Sequence, residues 1–525
     1  MKKFRGISLV AASAAVALGL TGCALPYQSE IIEGTQITVA WNDISDEYNT
    51  SSVTGNNVKN SITSYLTGSG FSYYNGDPAL VKNEKFGTYK KTSDEPLTVE
   101  YTINEGVVWS DGVQIDAADM LLAWVSTFGY FKNGEEYVFQ HANPRADLAS
   151  KLPTVNGRTL TFEYDIPYVD WELQFGVGVS AHGTVQMAYP DLTAEEAKAK
   201  FIEAVTNGDT EWLQPVADKW NTGYQTTGTP DALQGLSSGP YIVEEVVADQ
   251  YVTLVSNPKF TWGFSPKYER VTIREIADST AAVQAVDNGE VQVASGQPTA
   301  DVLALVSALT NGAYATGNEA AYEHVDLTFD NGGPFDPATY GGDAEKARKV
   351  RQAFLLSIPR EQILENLIKP LNANAELRNS HLVIPGSPNY DKMVSENGSD
   401  FYTSGDAAAR IETAKALLAE AGVTTPVEVG FWYPEGNVRR GQEFELIAAN
   451  AALAGFNVVD ESEPDWVFTG EEVNPHDAVI FAWASTSLAV TGSDQYLGTG
   501  QPSNFGNYSN ATVDSLLEEL NSTLD

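Results

Sequence analysis

The side chains of this 525-residue sequence that could do chemistry are five histidines, one cysteine, seventy carboxylates and ten tryptophans. Gly235-Leu236-Ser237-Ser238-Gly239 has the G-x-S-x-G spacing of a hydrolase nucleophile elbow. An elbow needs a strand before the serine and a helix after it. Here Pro240 and a hairpin-like run follow, so the segment reads as a turn. Gly176-Val177-Gly178-Val179-Ser180-Ala181 fits the loose G-x-G-x-x-A dinucleotide pattern but lacks a clear βαβ unit around it. No G-x-x-x-x-G-K-[ST] occurs, so the chain is not an ATPase. His141, His182, His324, His381 and His476 show no H-E-x-x-H or other metal-ligand spacing, so no metal is expected and each reads as a surface or hydrogen-bonded residue. Among seventy carboxylates chance pairs abound, and no glycosidase pair stands out. Asp111 in Trp109-Ser110-Asp111-Gly112 reads as a turn former with Trp109 packed beneath it.

The tryptophans are more informative. Trp41, Trp432 and Trp483 fall at the ends of expected strands. Ligands of open α/β sheets collect beyond the strands' carboxyl ends. An aromatic ring there stacks on a planar or apolar group at little entropic cost. Asn42, Asn331, Tyr433 and Thr486 lie beside such ends and could hydrogen-bond a peptide backbone. These seven residues are the candidate ligand-binding set, each weighed against plain core packing or a turn. No catalytic set and no cofactor is expected.

Charge and composition bound the partners. The formal net charge is −39. Phosphates would be repelled, which argues against nucleic acid, and no basic patch would hold anionic lipid. Hydrophobic residues at 42 % support large cores. With Cys23 alone, intrachain disulfides, zinc knuckles and iron–sulfur clusters are excluded by counting. Lys2, Lys3 and Arg5 precede an apolar run from Ile7 to Gly22. That run is too short to span a bilayer and reads as a signal peptide. Leu20-Thr21-Gly22-Cys23 looks like a bacterial lipobox, which implies cleavage before Cys23 and lipid on it. The membrane is then reached through that N-terminal lipid, from the outer face of the cell membrane.

The elements that would position these residues follow from periodicity and caps. Ile37–Trp41, Leu97–Ile103, Arg158–Tyr164, a hairpin over 241–247 and 250–256, and 270–276 read as strands. Asp116 opens a helix over Ala117–Phe128, and Thr193-Ala194-Glu195-Glu196 is a capping box. From 343 onward helices lengthen: 343–357, 360–368, 406–421 before Gly422 and 438–454 before Gly455. Val427–Tyr433, helix 438–454 and Phe456–Val459 make a β-α-β unit, and Ala478–Trp483 is a further buried strand. This alternation argues for an α/β lobe with a largely parallel sheet.

Several segments resemble the family 5 extracellular solute-binding proteins of bacterial ABC importers, the group that holds the dipeptide and oligopeptide receptors. They are Trp109-Ser110-Asp111-Gly112 with Ile115 to Asp119, Gly239-Pro240-Tyr241 with Asn257-Pro258-Lys259-Phe260, Ala281 to Glu290, Val350 to Phe354, Ala414 to Gly422 and Tyr508 to Asp514, in the family's order. The resemblance implies a two-lobed, periplasmic-binding-protein-like α/β fold (class II) with an extra subdomain on the N-terminal lobe. Its divisions would be a signal peptide 1–22, a lipid-anchored leader 23–36, lobe I from 37–70, 225–298 and 490–525, a subdomain 71–224, and lobe II 299–489. Lobes would close about crossovers near 295–302 and 484–492. The implied ligand is a short peptide or other small solute, the implied partners are permease subunits, and a monomer is expected. The runners-up are a secreted hydrolase and a binder of sugar or metal chelate. The family's acid after the strand at 478–483 is missing, since none occurs before Asp494, which puts recognition of a free peptide amine in doubt. The family pattern also continues past a closing helix, so the chain resembles one truncated at its C-terminal end.

Overall fold

The computed structural model describes residues 30–75, 80–173, 175–316, 321–383, 385, 389–464, 470–484, 497–501 and 503–523. Its first sheet contains β1 (Ile32–Trp41), β2 (Tyr241–Val247), β3 (Tyr251–Ser256), β4 (Tyr268–Glu275) and β5 (Val293–Ala294). Their spatial order is β2-β3-β4-β1-β5. β1 runs parallel to β4 and β5, while β2, β3 and β4 are antiparallel neighbours. The β2–β3 hairpin turns with Asp249 at φ 56, a left-handed conformation that aspartate tolerates. Pairing of Ile32 with Tyr268 starts inside the segment read from sequence as leader, so the strand begins earlier than Ile37.

Between β1 and β2 lies an antiparallel sheet of Gly87–Asp94, Leu97–Ile103, Thr159–Glu163 and Thr154–Asn156. Leu97, Val99, Tyr101 and Ile103 alternate onto its buried face, the period-2 pattern of a half-buried strand. Helices α1 (Ala117–Thr127) and α2 (Ala194–Asn207) pack there, and the hydrophobic cluster runs from Phe71 to Trp220 with Phe260 and Trp262.

A four-way knot holds this part together. The fully buried Asp119 carboxylate accepts from Trp109 Nε1 (3.1 Å), Asp116 N (3.0 Å), Ala181 N (2.8 Å) and Lys198 Nζ (2.9 Å). The Trp109…Asp119 spacing is therefore a structural device. Asp111 Oδ2 sits 2.9 Å from Nε2 of the buried His182, which makes it a turn residue with a partner.

The second sheet contains β6 (Ala321–Leu327), β7 (Val427–Trp432), β8 (Phe456–Asp460) and β9 (Ala478–Ala484), in the order β6-β9-β7-β8. β7 is parallel to β8 and β9, as the β-α-β reading requires, whereas β6 enters antiparallel to β9. The sheet is thus mixed at one edge. Helices α3 (Ala344–Ser357), α4 (Ala407–Ala421) and α5 (Val438–Ala454) cover one face, with Phe354, Leu418 and Ile447 meeting Val429, Phe431 and Ile480. α4 and α5 stop at Gly422 (φ 62) and Gly455 (φ 105), left-handed C-caps at the expected positions. Helix α6 (Ala511–Ser522) returns toward the first part, where Val169 N donates to Asn521 O (3.0 Å).

Candidate functional site

The face of the second sheet turned away from α3, α4 and α5 carries the polar and aromatic side chains. Side chains alternate along a strand. Tyr322, His324 and Asp326 on β6 therefore stand opposite Trp483, Phe481 and Val479 on β9, the register pairing each in turn. His324 stacks on Trp483 (centroids 6.4 Å, 14°) and meets Phe481 edge-on at 4.2 Å. Phe505 stacks on Trp483 at 6.1 Å. His381 comes in from a non-regular segment, its Nδ1 3.2 Å from Tyr322 Oη. Desolvation pushes the His381 imidazole down to about 4, so it is neutral at pH 7. Arg378 lies over the Tyr322 ring at 4.0 Å and donates to Ser380 O and His381 O.

This wall stands at the end of the sheet where β6 begins and β9 ends at Ala484. Behind it sits a charged clasp. Glu323, on the opposite face of β6, accepts from Arg439 Nη2 (2.5 Å) and Arg440 Nε (2.6 Å) at the start of α5. The amide of Gln297, in the crossover after β5, lies against the same guanidinium. Turned with its oxygen toward the cation, it accepts from Arg439 Nη1 at 2.5 Å. In the other orientation that oxygen accepts from Asn437 Nδ2 at 3.3 Å. Burial and the nearby Glu323 carboxylate raise the carboxyl of Glu443, 3 % exposed, to about 8.

The candidate residues from sequence separate in space. Trp483 is in the wall. Trp41 ends β1 opposite Glu275, its ring packed against the first sheet's hydrophobic cluster, with Asn42 exposed next to it. Burial together with Asp43 and Asp249 raises the Glu275 carboxyl, so this rim is acidic. Trp432 is only 1 % exposed and stacks on His476 at 4.9 Å, a packed ring whose strand ends short of the wall. Tyr433 is buried, donates to Asp460 Oδ2 (3.0 Å) and stacks on Phe444. Asn331 stands at the far end of the sheet. Leu327 pairs with Ala478, and Trp483 lies five residues further along β9, roughly 17 Å. There Asn331 Nδ2 donates to His476 O and Asp477 Oδ1, both at 3.1 Å, a loop-fixing role. Thr486, Cys23 and the crossover near 484–492 beyond Ala484 lie outside the described residues.

Sequence reasoning missed Tyr322, His324, His381 and Arg439. The alternation in Tyr322-Glu323-His324-Val325-Asp326 was the available signal for β6; nothing local brings residue 381 or 439 to it. The hydrolase motif is structural, since the buried Ser237 hydroxyl lies 2.7 Å from Thr67 O and 2.6 Å from Tyr241 O, with a strand following. Ala181 opens a helix capped by Ser180 without a strand before it among the described residues, so the dinucleotide pattern has no support either. Three histidines pair with carboxylates: His182 with Asp111, His324 with Asp326 and His476 with Glu461. Among the described residues no three His, Cys, Asp or Glu side chains gather to hold a metal. Surface cavities of about 510 and 600 Å³ lie beside Lys132 and Pro215, and beside Gly333, Tyr340 and Pro426; neither is lined by wall residues.

The model of the bacterial extracellular solute-binding proteins, family 5, matches residues 77–504. The chain belongs to this family. Among its relatives, an uncharacterized lipoprotein of Mycobacterium leprae is 25 % identical over 528 residues, covering 99 % of this chain and 87 % of the relative. Among solved structures, the periplasmic EDTA-binding protein EppA superposes with a TM-score of 0.73 at 21 % identity, covering 95 % of this chain and 87 % of that one. The oligopeptide-binding protein AppA from Bacillus subtilis, in complex with a nonapeptide, gives 0.64 at 17 % identity, covering 93 % and 87 %. The family 5 chain thus has the two-lobed fold of these binding proteins, and its class is solute binding. No helix among the described residues is long and apolar enough to cross a membrane.

Proposed function

We propose that this family 5 protein is a lipid-tethered receptor that captures short peptides between two lobes and hands them to the permease of an ABC importer. Lobe I would comprise 37–70, 225–298 and 490–525, extended at its start by the early strand pairing, with 71–224 as its subdomain and 299–489 as lobe II. A ligand favours closure only through contacts it gains in the closed state. The observation that carries the reading is the wall of Tyr322, His324 and Trp483 at the crossover end of the second sheet. It offers ring faces for varied side chains and polar edges for a backbone. The ligands of the two structural neighbours, a nonapeptide and EDTA, differ, so the fold does not choose between them and the wall must. Tethering is supported by the lipobox-like Leu20–Cys23 and the lipoprotein relative. The protein would work as a monomer, with the membrane reached only through the lipid on Cys23.

Native mass spectrometry of protein purified from rich medium tests the reading. Adduct masses that sequence as peptides support it; an adduct that is a sugar or a chelate, or turnover of added peptides, overturns it. Cys23→Ala should release the protein from membranes into the medium, and retention would refute the tether.

A further inference from the structure

Resting on the peptide reading, the inference starts from one polar atom of the wall, the Nε2 of His324. The His324 side chain is 10 % exposed. Its Nδ1 lies 2.7 Å from Asp326 Oδ1. A carboxylate at Nδ1 takes the ring N–H there and leaves Nε2 as a bare acceptor. His324 Nε2 is buried and has no hydrogen-bond partner. An unpaired buried acceptor is costly, and such atoms in a native protein call for an explanation. This nitrogen is one of several buried side-chain atoms without a partner among the described residues, and its place among the rings of the wall singles it out. Around His324 the neighbours are rings: Phe481 at 4.2 Å, Tyr322 at 5.2 Å, His381 at 6.3 Å and Trp483 at 6.4 Å. A ligand reaches the nitrogen if one ring swings aside, which suits His381 on its non-regular segment.

We propose that His324 is the specificity-determining residue of the cleft. Its Nε2 accepts an N–H from the bound solute while Trp483 stacks on the group beside that N–H. The class selected is a solute rich in amide or amine donors. A polycarboxylate, made of acceptors alone, would set its lone pairs against Nε2 with the Asp326 carboxylate behind it. Asp326 is a positioning residue: it holds the tautomer.

The test uses the full chain at pH 7.5, with a tryptic casein hydrolysate as donor-rich probe and propane-1,2,3-tricarboxylate as all-acceptor probe, read by saturable thermal shift. The hydrolysate should shift the wild type and the tricarboxylate should not. His324→Phe keeps the ring volume and removes the acceptor, and should weaken the hydrolysate response at least tenfold. His324→Gln, which can offer a carbonyl oxygen near the Nε2 position, should stay within a few-fold of wild type. Equal responses from His324→Phe and wild type overturn the assignment and leave the peptide reading intact. A wild type that answers the tricarboxylate but not peptides overturns both. Should His324→Phe fail to fold, the wild type labelled with ¹⁵N-imidazole histidine decides, with five histidines giving five rings to follow. The Nε2 signal of His324 should move on saturation with hydrolysate; an unmoved signal, as expected if buried water alone fills the site, overturns the proposal.

Discussion

Arg439 Nη2 and Glu323 Oε2 meet at 2.5 Å across the junction of α5 and β6, and the Arg439 guanidinium also abuts Gln297 in the crossover between the sheets. A side chain at the head of α5 therefore touches both β6 and the segment that follows the first sheet. Glu323 lies between Tyr322 and His324 in sequence, so the grip and the wall are opposite faces of one strand.

Arg439→Met keeps much of the stem and removes the charge, leaving Glu323 with Arg440 alone. Removing one partner of a mostly buried pair costs on the order of 3 kcal/mol. The variant should unfold earlier in urea, and small-angle scattering of the unliganded protein should show a broader distribution of inter-lobe distances. An unchanged scattering profile would mean that the clasp does not restrain the crossover.

Glu443 makes stability depend on pH. Its carboxyl is raised from the usual range to about 8, so the folded chain holds a proton that the unfolded chain releases. Its contribution is complete below about pH 4.5 and is lost as pH rises toward 8, with a slope no steeper than about 1.4 kcal/mol per pH unit. Glu443→Gln should flatten the fall in stability between pH 5 and 8, measured by denaturation at a series of pH values.

Asp119→Ala should be severe. It strips the acceptor from Trp109 Nε1, two backbone amides and the Lys198 ammonium, all buried. The expected loss is about 3–5 kcal/mol. Circular dichroism during urea titration should show the part built on residues 71–224 melting first.

Gly239→Ala probes a close approach rather than a torsion. A Cβ there would meet Gly68 O and Thr67 C at 2.6 Å, both main-chain atoms. Overpacking of this kind costs roughly 1–3 kcal/mol. A melting temperature within a degree of wild type would show that the 67–68 segment yields freely.

The carboxyl-terminal half was largely readable because its signals are local. Asn437 and Gly455 bracket α5, Asp406 and Gly422 bracket α4, and both helices form between those bounds. Leu97–Ile103 was readable for the same reason: its alternation is the imprint of one buried face. β6 escaped notice because its two faces differ in a way hydropathy does not see, one reading Tyr-His-Asp and the other Glu-Val-Leu. The helix Thr210–Thr222 was missed too, since Pro215 sits inside it.

By itself the sequence determined the charge, the single cysteine, the order of the family 5 segments and most helix ends, because each depends on composition or on residues within a turn of one another. It could place tryptophans at strand ends but not say which of those ends lie together. That was decided by the stagger of the second sheet, where β7 meets β9 only at Phe431 and Trp432. The stagger buries Trp432, carries Trp483 on to the crossover end and leaves Asn331 at the opposite one. The pairing of strands 150 residues apart, which brings His324 beside Trp483, is a matter of register and burial that no local pattern encodes.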